Sequence, residues 1–144
     1  MAKKILLIED VKAVYEMYQF AFEKENFKVE IATNKERAMK AALGLEKAQQ
    51  PDLILLDLIL PSKKEVVTEP EFQGIEILKE LRTNEKTKNI PIFILTNFDS
   101  DETRKTAKDY NVENYFIKSN YTPKELVTII KRWFTAKGAL DTGI

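Results

Sequence analysis

The 144-residue chain contains no cysteine and no histidine. Without cysteine there are no disulfides and no thiolate chemistry. Without histidine there is no imidazole base, no Ser-His triad and no histidine metal ligand, so any chemistry must run on carboxylates, hydroxyls and lysines. An excess of one charge is also missing: Lys+Arg and Asp+Glu each number 23. That balance gives no support to non-specific nucleic-acid or membrane binding. Long apolar runs are lacking too. Ile5-Leu6-Leu7-Ile8 is far too short to span a bilayer or to serve as the core of a signal peptide, so a cytoplasmic location is expected.

What is present is an ordinary globular composition, 44% hydrophobic and 32% charged. The length fits one domain, and a chain of this size buries roughly 70% of its unfolded surface. Short apolar runs alternate with longer periodic segments. Lys4 to Ile8, Lys28 to Ala32, Leu53 to Leu58, Ile92 to Thr96 and Asn114 to Ile117 read as buried parallel strands.

Helical periodicity lies between them. One face carries Val11, Val14, Tyr15, Tyr18 and Phe22; another carries Ala38, Ala41, Ala42 and Leu45, with Thr33 and Glu36 spaced as a capping box. Gly74 to Leu81 presents Ile75, Leu78 and Leu81. The last helix has Thr122 as cap, Pro123 in its first turn, Glu125 closing the box, and a stripe of Leu126, Ile129, Ile130 and Trp133. The segment from about Asp101 to Tyr110 has only Ala107 and Tyr110 to bury, which predicts a weakly anchored and easily shifted helix.

The pattern is (βα)5, an α/β doubly wound parallel five-stranded sheet with right-handed crossovers. Ligands of such sheets bind beyond the carboxyl ends of the strands. Those ends carry Glu9-Asp10, Asp57, Thr96 and Lys118. Each residue alone has a plain structural explanation, as a helix cap, a strand-end hydroxyl or a solvated charge. Their joint placement at four strand ends does not.

Glu9-Asp10, Asp57-Leu58-Ile59-Leu60-Pro61, Thr96 and Lys118 resemble the signature of two-component response-regulator receiver domains, and the resemblance runs from Lys4 to about Phe134. It implies strand order 2-1-3-4-5 and a receiver domain over 1–137, followed by a short tail at 138–144. In the family a glycine opens the third helix about eight residues after the phospho-acceptor. Here Gly74 comes seventeen after Asp57, and a single insertion within 62–73 restores the register of Thr96 and Lys118.

The resemblance further implies that Asp57 is the phospho-acceptor. It implies Mg2+, with Mn2+ as a substitute, held by Asp10, Asp57 and the Ile59 backbone carbonyl, with Glu9 acting through water. A hard, oxygen-liganded ion that keeps several waters suits that set. Lys118 would meet a phosphate oxygen as a point charge. Thr96 would turn its hydroxyl onto the phosphoryl group, a charge-assisted bond of about 1.5–3 kcal/mol, and Tyr115 would follow it inward. Tyr115 packed simply at a strand edge is the other reading. The α4-β5-α5 face would then switch.

The implied partners are a sensor histidine kinase or histidine phosphotransfer protein and a downstream protein target, with no direct contact to nucleic acid or membrane. A phosphorylation-dependent homodimer is left open.

Three departures from the family stand out. Ser119 replaces the common proline after the strand-five lysine, so the loop carrying Lys118 is expected to run differently. Asn97 replaces the small residue after Thr96 and would narrow access to the phosphate. The 62–73 insertion, with Lys63, Lys64 and Phe72 as its partner-contact candidates, is either a tolerated surface loop or a partner-selecting cover over the acidic pocket. Apolar Ile59 and Phe98 beside the pocket predict slow hydrolysis of the aspartyl phosphate.

Only about ten residues follow Phe134, so a stand-alone receiver is expected. A receiver fragment of a longer regulator and a non-switching pseudo-receiver are the alternatives. An aspartate-nucleophile phosphatase is disfavoured because Ile59 occupies the place of its general acid. A flavin protein is disfavoured because Glu9-Asp10-Val11-Lys12 is no phosphate-cradling turn.

Overall fold

The computed structural model describes residues 2–45, 49–60 and 72–138. Lys63, Lys64, the rest of 61–71 and the tail from 139 onward lie outside the described residues. Five strands, β1 (Lys4–Ile8), β2 (Lys28–Ala32), β3 (Leu53–Leu56), β4 (Ile92–Thr96) and β5 (Asn114–Ile117), form one parallel sheet in the order β2-β1-β3-β4-β5. Helices α1 (Lys12–Lys24), α2 (Lys35–Leu43), α3 (Gln73–Thr83), α4 (Asp101–Asp109) and α5 (Pro123–Ala136) connect and follow them.

Side-chain alternation along the strands sorts the core into two layers. Leu6, Ile8, Ile54, Leu56, Ile92 and Ile94 point to one face, where they meet Ala38, Ala41 and Ala42 of α2, Ile77, Leu78 and Leu81 of α3, and Ala107 of α4. Ile5, Leu7, Leu53, Leu55, Phe93 and Leu95 point to the other, against Tyr18 and Phe22 of α1 and Leu126, Val127, Ile130 and Phe134 of α5. Every residue of β1, β3 and β4 is buried, because helices cover these central strands on both faces; the edge strands β2 and β5 are only partly buried. A one-residue slip of any central strand would exchange the two layers, so the register is tightly held.

The sequence reading needs correction in four places. β3 ends at Leu56 rather than Leu58, since the chain leaves the ladder as it enters the strand-end cluster. α2 is capped by Asn34, whose side-chain oxygen accepts the Arg37 N–H at 2.9 Å, and Thr33 lies outside the helix. The buried stripe of α5 includes Val127 and Phe134, while Ile129 and Trp133 are only partly covered. Val11 is the exposed N-cap of α1, and Leu45 lies exposed beyond left-handed Gly44, which ends α2.

The sparse apolar content read for α4 is seen among the described residues. The helix gives the apolar core a single residue, Ala107, and stays helical through the Ser100–Thr103 capping box.

Gly74 has a specific steric reason. A Cβ there would lie 2.1 Å from the Asp57 carbonyl oxygen and 2.5 Å from the Leu58 Cα. Only glycine lets α3 start this close to the end of β3, and the Gly74 N–H uses the approach to bond the Leu58 carbonyl at 3.1 Å.

Candidate functional site

Register carries the charged residues together. Ile8 pairs with Leu56, so Glu9 and Asp57 leave their strands side by side, and the Asp57 N–H still bonds the Ile8 carbonyl. Thr96 pairs with Ile117, so Lys118 emerges at the same edge. Carboxylate oxygens of Glu9, Asp10 and Asp57 all lie within 4.8 Å of one another. Glu9 is 1% and Asp57 6% exposed, while Asp10 faces solvent.

Lys118 is the countercharge. Its Nζ donates to Asp57 Oδ2 at 2.8 Å and to Glu9 Oε1. The other Glu9 oxygen accepts the N–H groups of Asp10 (2.9 Å) and Val11 (3.1 Å), and Asp57 Oδ1 accepts the Ile59 N–H at 3.1 Å. Among the described residues nothing bonds the Asp10 carboxylate. Among the described residues, one ammonium thus bridges two carboxylates with a third beside them, leaving the pocket short of positive charge.

Burial pushes the Asp57 carboxyl above its ordinary range, against the pull of Lys118, and the nearby Glu9 charge adds to the rise. Burial also works against the Lys118 ammonium, but Asp57 and then Glu9 outweigh it and raise its pKa.

Thr96 at the end of β4 and Tyr115 in β5 are linked through the backbone of Phe98. Thr96 is fully buried, and its Oγ1 accepts the Phe98 N–H at 3.2 Å. The half-buried Tyr115 hydroxyl donates to the Phe98 carbonyl at 2.6 Å and lies 3.0 Å from Thr103 Oγ1 on α4. Arg104 stacks over its ring at 4.5 Å and is bound to Asp99. Burial foremost raises the Tyr115 phenol pKa.

Phe72 sits edge-on against Phe98 with ring centroids 4.8 Å apart, so this candidate for partner contact packs onto the loop after β4. Ile59 reaches Asp57 through its N–H, as given above.

Sequence reasoning named Phe98 and Asn97 but missed three contacts, one of them through Thr103, which it did not name. Phe98 joins Thr96 to Tyr115 through its backbone, Thr103 ties Tyr115 to α4, and Asn97 meets Ser119. Asn97 Oδ1 accepts the Ser119 N–H at 2.9 Å within the one-turn 3-10 helix Lys118–Asn120. The first two contacts run through backbone or a small hydroxyl and leave no trace in composition. The third had a visible signal, since both residues depart from the family pattern.

The sheet order, the helices on both faces and the acidic pocket at the strand ends define a receiver fold. The sequence model of the response regulator receiver domain matches residues 5–131, and the chain belongs to that family, whose members are signalling switches. It is 32% identical over 131 residues to the phosphate regulon transcriptional regulatory protein PhoB of Escherichia coli K12, covering 91% of this chain and 51% of PhoB. The chain spans about half the length of the curated relatives it matches.

Among solved structures it resembles the phosphorylated cyanobacterial phytochrome response regulator RcpA, with 30% identity, a TM-score of 0.74, and 99% of this chain and 96% of that one covered. The Mn2+-bound form of response regulator Rcp1 is similar, with 29% identity, a TM-score of 0.74, and 97% and 96% covered. Among the described residues no helix is long and apolar enough to cross a membrane.

Proposed function

We propose that Asp57 accepts a phosphoryl group from a phosphohistidine of a sensor kinase or histidine phosphotransfer protein. One carboxylate oxygen forms a bond to phosphorus as the phosphorus–nitrogen bond breaks, and the released imidazole takes a proton from solvent. The protein's part is positioning and charge neutralisation. The observation that carries the reading is the Lys118 ammonium joining Asp57 and Glu9 at the strand ends, with the Asp10 carboxylate open beside them.

The donor set fits a hard divalent cation. It is all oxygen, closely spaced, and carries more negative charge than Lys118 offsets. Asp10 and Asp57 would hold Mg2+ directly, or Mn2+ in its place, with the Ile59 carbonyl as a further ligand and Glu9 acting through water. Such an ion supplies charge neutralisation for an incoming anionic group.

Lys118 then bonds a phosphoryl oxygen, and Thr96 leaves the Phe98 N–H to bond another. Tyr115 follows from its bond to Phe98, and α4, which among the described residues gives the apolar core only Ala107, shifts with it. The resulting change on the α4-β5-α5 face is read by a downstream protein or by a second copy of the chain.

We assign the receiver to 1–137 with its insertion at 62–73, acting in the cytoplasm. Incubation with acetyl phosphate and Mg2+ tests the reading through the mass of the intact protein and of its peptides. A phosphoryl group on wild type and none on Asp57→Asn is expected. Labelling that survives Asp57→Asn refutes the assignment.

A further inference from the structure

The two residues that directly follow Thr96 and Lys118 are bonded to each other. Asn97 follows Thr96 and Ser119 follows Lys118; they are far apart in sequence, and their contact is a side-chain oxygen accepting a backbone N–H at 2.9 Å. A proline at 119 would have no such hydrogen to give. We propose that Asn97 is a positioning residue for Lys118, using the N–H that serine restores to fix the loop that aims the ammonium at Asp57. This inference rests on the function proposed above and deepens it.

The physical route is short. The peptide group between Lys118 and Ser119 is planar, so holding the Ser119 N–H fixes the orientation of a plane that includes the Lys118 Cα and carbonyl. The same carbonyl accepts the Tyr121 N–H at 3.3 Å and closes the 3-10 turn. With the plane held from both sides, the flexible lysine stem starts from a set direction and its Nζ reaches Asp57 and Glu9. A proline ring would restrain the loop by locking its own φ; here the side-chain bond supplies the restraint. Asn97 is anchored for the task, because it directly follows buried Thr96, the last residue of β4.

This reading and simple obstruction by the larger Asn97 side chain predict opposite signs. If Asn97 only narrows the pocket, Asn97→Ala opens it and tightens anion binding. If Asn97 aims Lys118, Asn97→Ala weakens beryllofluoride binding in the presence of Mg2+ by about three- to fivefold, the effect of one modest hydrogen bond. The urea midpoint should stay unchanged, since the bond is exposed. In a Ser119→Pro background, which has no N–H to hold, Asn97→Ala should change the affinity by less than about twofold.

Equal or tighter binding by Asn97→Ala in the wild-type background overturns the proposal, as does an equal loss in both backgrounds. Should Ser119→Pro fail to bind at all, amide exchange of Ser119 decides. Faster exchange in Asn97→Ala together with weaker binding supports the proposal, and unchanged exchange overturns it. Wild type that binds no beryllofluoride with Mg2+ refutes instead the function on which the inference stands.

Discussion

Replacing Lys118 by methionine removes the ammonium that, among the described residues, alone bridges two buried carboxylates. Its side chain is 14% exposed, against 1% for Glu9 and 8% for Asp57. Attraction across the 2.8 Å contact to Asp57 is about 6 kcal/mol at an effective dielectric near 20. Desolvation of the lysine offsets part of this, and breaking such a pair by removing one partner costs about 3–5 kcal/mol. For a domain of this size that corresponds to a melting temperature lower by roughly 10 °C.

The loss has a pH signature. Asp57 already has a folded pKa above its ordinary value because burial disfavours its charged form. Its protonated form is therefore favoured by folding, so its contribution to stability declines as pH rises from the ordinary carboxylate value toward the raised folded one. Without Lys118 that folded value climbs further. The deficit of the variant is then largest where Asp57 is fully ionised and shrinks as pH falls through the raised pKa. Urea denaturation of both proteins at pH 7.5 and 4.5 measures it. A deficit below about 1 kcal/mol at pH 7.5, or one equal at both pH values, would refute the reasoning.

Gly74→Ala forces a Cβ into the backbone of Asp57 and Leu58, and a cost of about 3 kcal/mol is expected together with weakened beryllofluoride binding; unchanged stability in urea would contradict the steric reading. Arg82 donates to the carbonyls of Tyr110, Lys88, Ile90 and Asn111, so Arg82→Met should lower stability by about 2–4 kcal/mol, mainly by leaving the partly buried Tyr110 and Ile90 carbonyls unpaired, as calorimetry can check. Tyr115→Phe removes the bonds to Phe98 and Thr103, which should cost about 1 kcal/mol and speed amide exchange across α4 while leaving α5 unchanged. Addition of Mg2+ should raise the melting temperature of wild type, and Asp10→Asn should weaken that response at least tenfold in apparent affinity, a loss of about 1.4 kcal/mol.

The sheet was legible because strands covered on both faces must be apolar along their whole length, as Leu53 to Leu56 are. The site was legible because parallel strands deliver their last residues to one edge, so Glu9, Asp57, Thr96 and Lys118 had to gather there. Helix faces were read less well. α5 packs against both the sheet and α1, which broadens its buried face to take in Val127 and Phe134, and a strict stripe does not describe it. The bonds of Phe98, Thr103 and Asn97 depend on loop conformations and on backbone groups that every residue possesses. No spacing rule reports these. Gly74 lies between, since its presence located the insertion while its steric reason needed coordinates.

The most direct measurement is a structure of the chain with beryllofluoride and Mg2+. The fluoride group should sit on the Asp57 carboxylate, within hydrogen-bond reach of Lys118 Nζ and of a Thr96 hydroxyl released from the Phe98 N–H. Beryllofluoride bound elsewhere, or bound at Asp57 with Lys118 Nζ still on the Asp57 and Glu9 carboxylates and out of reach of fluoride, contradicts the role given to this cluster.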